Sequence, residues 1–473
     1  MSVTKKLNML KKNLIRTFTI FIVLNLLIVF NGHAIVKGDT LQNKYPIIPT
    51  PQEISYGDSE LLFESIFIIG SDFANEISQL KAFLHKQEIE ESPEGLKIQF
   101  IKMYLSTINH EEAYRLIIDN HISISSTTEK GAYYAIQTLK QLLRKNGDKG
   151  VLPKLKIKDW PAFKIRGFMH DTGRNFQSVS QLKEQIEIMS QYKYNVFHWH
   201  LTDNPGWRLE SKLYPELQSE AATTRQKGNF YTQDDFKEVL AFCKERKITV
   251  IPELDIPGHT EAFRKALNIE TMHDPKVKSI LLNLFKELIG LADAVEMPYI
   301  HIGTDEVKGN IEDVSHDVLL DIINLIKDND REVIVWKQGI QVEDDTTSIN
   351  QLWAQHEGRE GHRYIDSRSN YINHLDPFAG MARLFFQQPC RQPEGDSLAL
   401  GGILCAWPDN NIGSERDILK QNSIYPFMVF YADAIWKGRE KNLYEFWAKI
   451  PEIGTEELEK FKIFEEKVIT HRD

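Results

Sequence analysis

The sequence predicts an α/β chain, a (β/α)8 TIM-type barrel preceded by a small α+β domain. Three observations carry this. Before residue 160, short β-like runs surround one helical segment; beyond it, apolar runs of strand length alternate with amphipathic helices; and the ends of those runs collect ionisable side chains. The 473 residues are 42% hydrophobic and 26% charged, which supplies a large core plus an accessory domain and argues against disorder.

Residues 1–34 read as an export signal. Lysines and an arginine within MSVTKKLNMLKKNLIR precede an apolar stretch from Thr17 to Phe30 and a small-residue site, NGHA, ending at Ala34. That stretch is short for a membrane span, so we expect a cleaved signal, no stable membrane insertion and a periplasmic or extracellular protein; an uncleaved N-terminal anchor is the alternative. The net charge of -10, with acidic residues dispersed along the chain, excludes nucleic acid and anionic membranes as partners and fits a neutral substrate. Cys243, Cys390 and Cys405 allow at most one disulfide, so the fold must rest on its core, and Cys243, on the apolar stripe of a helix, reads as buried filling.

The small domain is expected over 45–160, from the runs LLFESIFIIG, GLKIQF and YRLIIDNHISISS and the helix GAYYAIQTLKQLLRK. DWPAF at 159–163 breaks this pattern. The barrel follows over 161–440: FKIRGFMHD then SVSQLKEQIEIMSQYK, NVFHWHLTD then TQDDFKEVLAFCKERK, and ITVIPELD then DPKVKSILLNLFKELIGLAD. Phe236, Val239, Leu240 and Cys243 keep helical spacing behind a Thr232 cap, and Asp274-Pro275 reads as a cap with proline at the first helical position. PYIHIGTDEV, VLLDIINLIKDND, EVIVWKQGI, SINQLWA, SNYINHLD and GGILCAWPD bring the strand candidates to eight, and residues 441–473 form a helical tail. A doubly wound sheet is the alternative, but no glycine-rich phosphate fingerprint follows the first strand, and no cofactor or metal is expected.

The strand ends point to a site. The first ends in His170, Asp171 and Arg174, the second in His198, His200 and Asp203, the third in Glu253, Asp255 and His259, and the fourth in His301, Asp305 and Glu306. The fifth, sixth and eighth end in Trp336, Trp353 and Trp407, the last with Asp409. Any one of these carboxylates has a bland explanation as a helix cap or an arginine partner, but burying so many at one face is costly unless they pair or work. Flat aromatic faces suit pyranose rings while carboxylates and arginine suit hydroxyls, so the set points to a sugar. A metal reading would gather His198, His200, His259, His301 and Asp305, and it leaves the tryptophans and Arg174 unexplained.

Asp305 and Glu306 are neighbours, and neighbours on a strand face opposite ways unless the strand ends and twists there. A two-carboxylate retaining glycosidase needs its acid and nucleophile on opposite sides of the anomeric carbon, so HIGTDEV calls for a different nucleophile.

These residues resemble glycoside hydrolase family 20, the exo-acting β-N-acetylhexosaminidases. RGFMHDTGR (166–174) is similar to that family's first strand, HWHLTDNPGWRLE (198–210) to its second, IPELDIPGH (251–259) to its third, HIGTDEV to its HxGGDE signature and CAWPD (405–409) to its last; YPIIPTPQEISYG and GAYYAIQTLKQLL resemble the domain before the barrel. The resemblance implies substrate-assisted catalysis on a glycan with a terminal N-acetylhexosamine, the 2-acetamido oxygen attacking the anomeric carbon to give an oxazolinium. It makes Asp305 the group that orients the acetamide and stabilises its positive charge, and Glu306 the general acid and base, with a raised pKa. Asp203 and His259 become a relay behind Glu306; Arg174 and Asp409 hold hydroxyls; Trp336, Trp353 and Trp407 wall the pocket.

Two departures stand out. Thr304 replaces the second glycine of the signature. The family's tyrosine two residues before the aspartate of strand seven is matched in SNYINHLD by His374 before Asp376, while Tyr371 is off parity unless a bulge intervenes. His374 and Asp376 are thus carried over as substrate-binding residues. A sugar-binding protein that has lost turnover and a metal-dependent barrel hydrolase are the competing functions.

Overall fold

β-Branched and aliphatic residues dominate the strand runs because they pack well on a pleated surface buried on both faces. A computed structural model describes residues 41–440 and 455–472, apart from 106, 107, 109, 338, 341–344, 346, 355, 374, 375 and 423; the expectations for residues 1–34 and for His374 lie outside the described residues. Eight parallel strands close a barrel: β1 (Ile165–Asp171), β2 (Val196–His200), β3 (Thr249–Ile256), β4 (Tyr299–Gly303), β5 (Glu332–Lys337), β6 (Ile349–Leu352), β7 (Tyr364–Asp366) and β8 (Ala399–Ala406). Inside, Ile165, Met169, Ile251, Ile334, Ile403 and Cys405 fill the lumen. Outside pack α1 (Val179–Gln191), α2 (Gln233–Glu245), α3 (Val277–Ile289), α4 (His316–Lys327), α5 (Pro377–Phe386) and α6 (Ile424–Lys437).

Local chemistry explains where these elements start. Thr232 caps α2 in a capping box with Asp235. Asp274 behaves differently from the prediction: its Oδ1 accepts the Lys276 N–H at 3.0 Å, Pro275 sits in that turn, and α3 begins only at Val277. The seventh strand also differs. Its first part is Tyr364–Asp366; the chain leaves the ladder over 367–370 and rejoins β8 at Tyr371, which bridges to Cys405. Asn370 closes the break, its Nδ2 donating to the Asp366 carbonyl at 2.9 Å and its own carbonyl accepting the Cys405 N–H at 2.8 Å. Among the described residues no helix separates β5 from β6 or β6 from β7, so the predicted alternation is incomplete there.

The preceding domain is a mixed sheet of eight strands between Glu53 and Asp159. Helix Glu129–Leu142 is the expected GAYYAIQ segment, capped by Thr128. A second helix, Ala74–Lys86, was not expected, although Ile77, Leu80 and Leu84 mark its buried face at helical spacing. All three cysteines are free and buried. The C-terminal helix Thr455–Arg472 lays Phe461 and Phe464 against Phe385 and Phe430.

One buried charge ties the sheet domain to the barrel. Asp159, in the DWPAF break, accepts from Lys193 Nζ at 2.8 Å and from the Tyr114 hydroxyl at 2.7 Å on one oxygen, and from Trp436 Nε1 at 2.9 Å and the Gln52 N–H at 2.9 Å on the other. Both charged side chains are completely buried. Removing one partner strands the other, so Lys193→Ala is expected to cost about 3–5 kcal/mol, read as a lowered urea midpoint.

Candidate active site

The polar residues at the C-terminal ends of the strands sort into two layers. The lower layer centres on Glu253. Its Oε2 lies 2.9 Å from His198 Nε2 and 2.6 Å from His200 Nδ1, and its Oε1 accepts from Trp336 Nε1 at 2.7 Å and lies 3.1 Å from His301 Nδ1. Strand register produces this cluster, since His200, Glu253 and His301 are directly paired across β2, β3 and β4. Burial alone would raise the Glu253 carboxyl, but His200, His301 and His198 prevail and hold it well below the usual carboxylate range. Burial would likewise depress His200, and the carboxylates of Glu253, Asp171 and Asp203 raise it instead.

Above this floor opens a pocket of about 150 Å³. On one side Arg174 reaches Asp171 at 2.7 Å, Asp203 at 3.1 Å and Asp409 at 3.8 Å, with its guanidinium 4.8 Å from the centre of the Trp407 ring. Opposite runs a chain of three groups: Asp203 Oδ2 is 3.4 Å from His259 Nδ1, and His259 Nε2 is 3.4 Å from Glu306 Oε2. Trp353 and Tyr371 stack nearly parallel at 6.4 Å, and Tyr371 lies 5.7 Å from Trp407, so three aromatic rings form the remaining wall. The indole N–H of Trp353 is buried with no hydrogen-bond partner among the described residues and is free to meet a polar ligand, while that of Trp407 faces the Tyr371 hydroxyl.

The backbone settles the question posed by adjacent carboxylates. β4 ends at Gly303, and φ is positive at Gly303 (71°), Thr304 (88°) and Glu306 (47°), so the chain turns sharply and both Asp305 and Glu306 line the one pocket. A β-branched residue at Thr304 makes this conformation costly, and such strain persists only where the surroundings enforce it. Here the Ile340 N–H holds the Thr304 carbonyl at 2.8 Å, and any side chain at Gly339 would collide with it. The Thr304 side chain leaves that pocket untouched and lines a separate small cavity beside Asn350 and His362.

The two carboxylates sit in opposite environments. Asp305 is 8% exposed, and burial, reinforced by Glu253, pushes its pKa up to about 6 against the pull of His259. The Glu306 side chain is 52% exposed, and the hydrogen bond from His259 holds it below its ordinary value. This corrects the expectation of a raised Glu306: the side chain stands half in solvent, and a cation faces it. His259 itself is raised to about 12, because Asp255, Asp203 and Glu306 outweigh its burial.

The structure distributes the remaining sequence-derived residues unevenly. Arg174, Asp203, His259, Trp353, Trp407 and Asp409 surround or directly support the pocket. Trp336 does not wall it; the ring is wholly buried one layer down, its N–H spent on Glu253. Asp376 is also displaced: it is exposed and caps α5, its Oδ1 accepting the Ala379 N–H at 3.0 Å. The break in the seventh strand is the cause, because it brings Tyr371 and Asn373 to the lining, with Asn373 Nδ2 donating to Asp409 at 3.1 Å. His200, Asp255, Tyr371 and Asn373 are the pocket residues missed as site residues; for the last two the Tyr-x-Asn spacing at 371–373 was the available signal. The five residues of the metal reading do not converge on one point, since His198, His200 and His301 address Glu253 while His259 addresses Asp203 and Glu306.

Both domains of the chain are similar to known proteins. Residues 44–160 match the family model described as glycosyl hydrolase family 20, domain 2, and residues 163–276 match glycosyl hydrolase family 20, catalytic domain. The chain is 33% identical to a β-hexosaminidase of Vibrio furnissii over 304 residues, 56% of this chain and 49% of that protein. It is 37% identical to a β-hexosaminidase of Porphyromonas gingivalis over 240 residues, 46% of this chain and 31% of that protein. The chain thus spans half or less of the length of these curated relatives. Among solved structures, a β-N-acetylhexosaminidase from Bacteroides fragilis superposes with a TM-score of 0.70 at 26% identity, covering 89% of this chain and 96% of that one. An exo-β-N-acetylglucosaminidase from Vibrio harveyi, solved with N-acetylglucosamine, shares the fold with a TM-score of 0.71 at 22% identity, covering 90% and 77%. Among the described residues no helix is long and apolar enough to cross a membrane.

The raised His259 pKa fixes the sign of a pH effect. A group raised from 6.5 to about 12 contributes stability that is complete below 6.5 and lost as pH climbs toward 12. The difference in melting temperature between the parent and His259→Gln should therefore narrow as pH rises above 6.5; a difference that widens would rule out a cationic His259.

Proposed function

The chain belongs to glycosyl hydrolase family 20, and on that premise we propose that it is an exo-acting, retaining β-N-acetylhexosaminidase that removes terminal GlcNAc or GalNAc from glycans. One observation carries the reading. Two neighbouring carboxylates line one pocket in opposite environments, Asp305 buried and Glu306 open to solvent, an arrangement suited to two different tasks and unsuited to attack from opposite faces of a sugar.

In the proposed reaction the substrate's acetamido oxygen attacks the anomeric carbon as the glycosidic bond breaks. Asp305, as carboxylate, receives the acetamido N–H and offsets the positive charge of the oxazolinium. Glu306 delivers a proton to the leaving oxygen, then takes one from the water that opens the oxazolinium, which restores the acetamide and retains the configuration. A bound sugar covers the exposed side of Glu306 and strips its water, which raises the carboxyl toward the range of a useful acid. His259, between Glu306 and Asp203, supports that proton exchange. Arg174 and Asp409 are assigned to ring hydroxyls, with Trp353, Tyr371 and Trp407 around the ring and acetamide. The alternative of a sugar-binding protein without turnover drew on Thr304 and His374; the Thr304 side chain lies outside this pocket, and His374 lies outside the described residues.

Glu306→Gln is expected to lower kcat/KM on an aryl β-N-acetylglucosaminide by about 10²–10⁴-fold in a nitrophenol-release assay. Asp305→Ala should also be slow and stay slow when azide is added, since azide replaces a nucleophile and not the group that orients one. Full activity of Glu306→Gln would sink the assignment.

We also propose export to the periplasm or beyond, on the strength of the basic segment, apolar run and NGHA site of residues 1–34. Sequencing of the protein recovered outside the cytoplasm should find a new terminus after Ala34; full-length protein confined to the cytoplasm would count against export, and full-length protein in the membrane fraction would point to the anchor.

A further inference from the structure

Asp255 has no place in the reaction just described, yet it lines the same pocket beside Asp305. An oxygen of each carboxyl and a ring nitrogen of His259 lie within 4.8 Å of one another. Among the described residues, Oδ1 of Asp255 and Oδ1 of Asp305 are both buried without a hydrogen-bond partner. The backbone is shaped to permit this approach: a Cβ on Gly303 would stand 1.7 Å from Asp255 Oδ1, and one on Gly258 would stand 2.3 Å from the Asp305 carbonyl oxygen. The groups facing the pair are His259 and Glu253 from β3 and the turn after it, His200 from β2, and Tyr371. Glu253 repels both carboxyls, His200 is bonded to Glu253 and Asp203, and His259 is shared with Asp203 and Glu306. Two buried carboxylates at this separation cannot both stay ionised with so little unshared positive charge.

We propose that Asp255 and Asp305 form a one-proton pair, with Asp255 the neutral acid, and that Asp255 is thereby the positioning residue that keeps Asp305 as the pocket's carboxylate. The assignment of the proton follows from depth. Asp255 is 2% exposed and burial, followed by the Asp305 charge, raises it well above the ordinary range, whereas Asp305 borders the pocket and ionises near pH 6. A neutral Asp255 adds no second negative charge, leaves the cation of His259 to be held by Asp203 and Glu306, and offers Asp305 a hydroxyl donor. Asp305 then meets the acetamido N–H with its remaining oxygen, already oriented.

This inference rests on the hexosaminidase reading, so the experiment separates the two. Difference infrared spectra of the whole protein at neutral pH should show a protonated-carboxyl C=O band that Asp255→Asn lacks, a readout needing no turnover; a parent without such a band overturns the pair even if the enzyme is active. If the parent hydrolyses no N-acetylhexosaminide, the functional reading fails while the band still decides the pair. In an active parent, Asp255→Asn mimics the neutral acid and should leave the acidic limb of the kcat profile near pH 6 unmoved. A downward shift of about one unit or more would mean that an ionised Asp255 had been removed, which overturns the proposal. Asp255→Leu, of similar size without a donor, should lower kcat by about 10–10²-fold with Asn restoring most of it; equal activity of the Leu variant and the parent also overturns it.

Discussion

The structure of the site depends on one buried carboxylate. Glu253 draws donors from two other strands of the barrel wall, the two histidines of β2 and Trp336 of β5, and lies 3.1 Å from Nδ1 of His301 on β4, which itself accepts the Gly303 N–H. A lone ionised carboxylate at this depth would be prohibitively costly, and these partners leave it no low-energy alternative. Because those partners belong to different strands, satisfying Glu253 sets how the strand ends stand relative to one another. His200 passes the constraint upward to Asp203 at 3.2 Å, and Asp203 meets both Arg174 and His259, so the pocket walls inherit their positions from the floor.

On that floor the chain solves a problem of geometry. Adjacent residues of a strand face apart, and the protein needs two adjacent carboxylates at one cavity. Left-handed backbone conformations at Gly303, Thr304 and Glu306 end the strand and turn it. The result separates the two groups electrostatically as well as spatially. Asp305 is pressed into a low-dielectric region near Asp255 and Glu253, where its charge is expensive and therefore responsive to a cation in the pocket. Glu306 stands in water beside His259, where its protonation awaits whatever covers it. In the proposed reaction these are the properties wanted of a group that stabilises a cation and of one that exchanges a proton.

Much of this was legible before any coordinates. Strand-end residues were identifiable because apolar runs of fixed length must finish somewhere, and the polar residue that follows marks the place. That logic located Arg174, Asp203, His259, Asp305 and Glu306, all of which the structure gathers at one face of the barrel. It failed at the seventh strand, where Asn370 repairs a break in the ladder by bonding to backbone groups on either side. A period-two reading cannot see such a break, so SNYINHLD pointed to Asp376 while the chain delivers Tyr371 and Asn373. Trp336 and the expected pKa of Glu306 were misjudged for a related reason: depth within the barrel and the identity of a facing cation are properties of neighbours distant in sequence.

By itself, the sequence determined the barrel, the domain before it and the strand ends at which polar and aromatic residues gather, since composition, periodicity and adjacency are local properties. Only the tertiary structure decided which polar residues form the floor and which the pocket, which aromatic rings line it, and which way burial and neighbouring charges shift His259, Asp305 and Glu306. Those outcomes depend on burial and on charges a few ångströms away, and both are created when strands far apart in the chain are brought side by side.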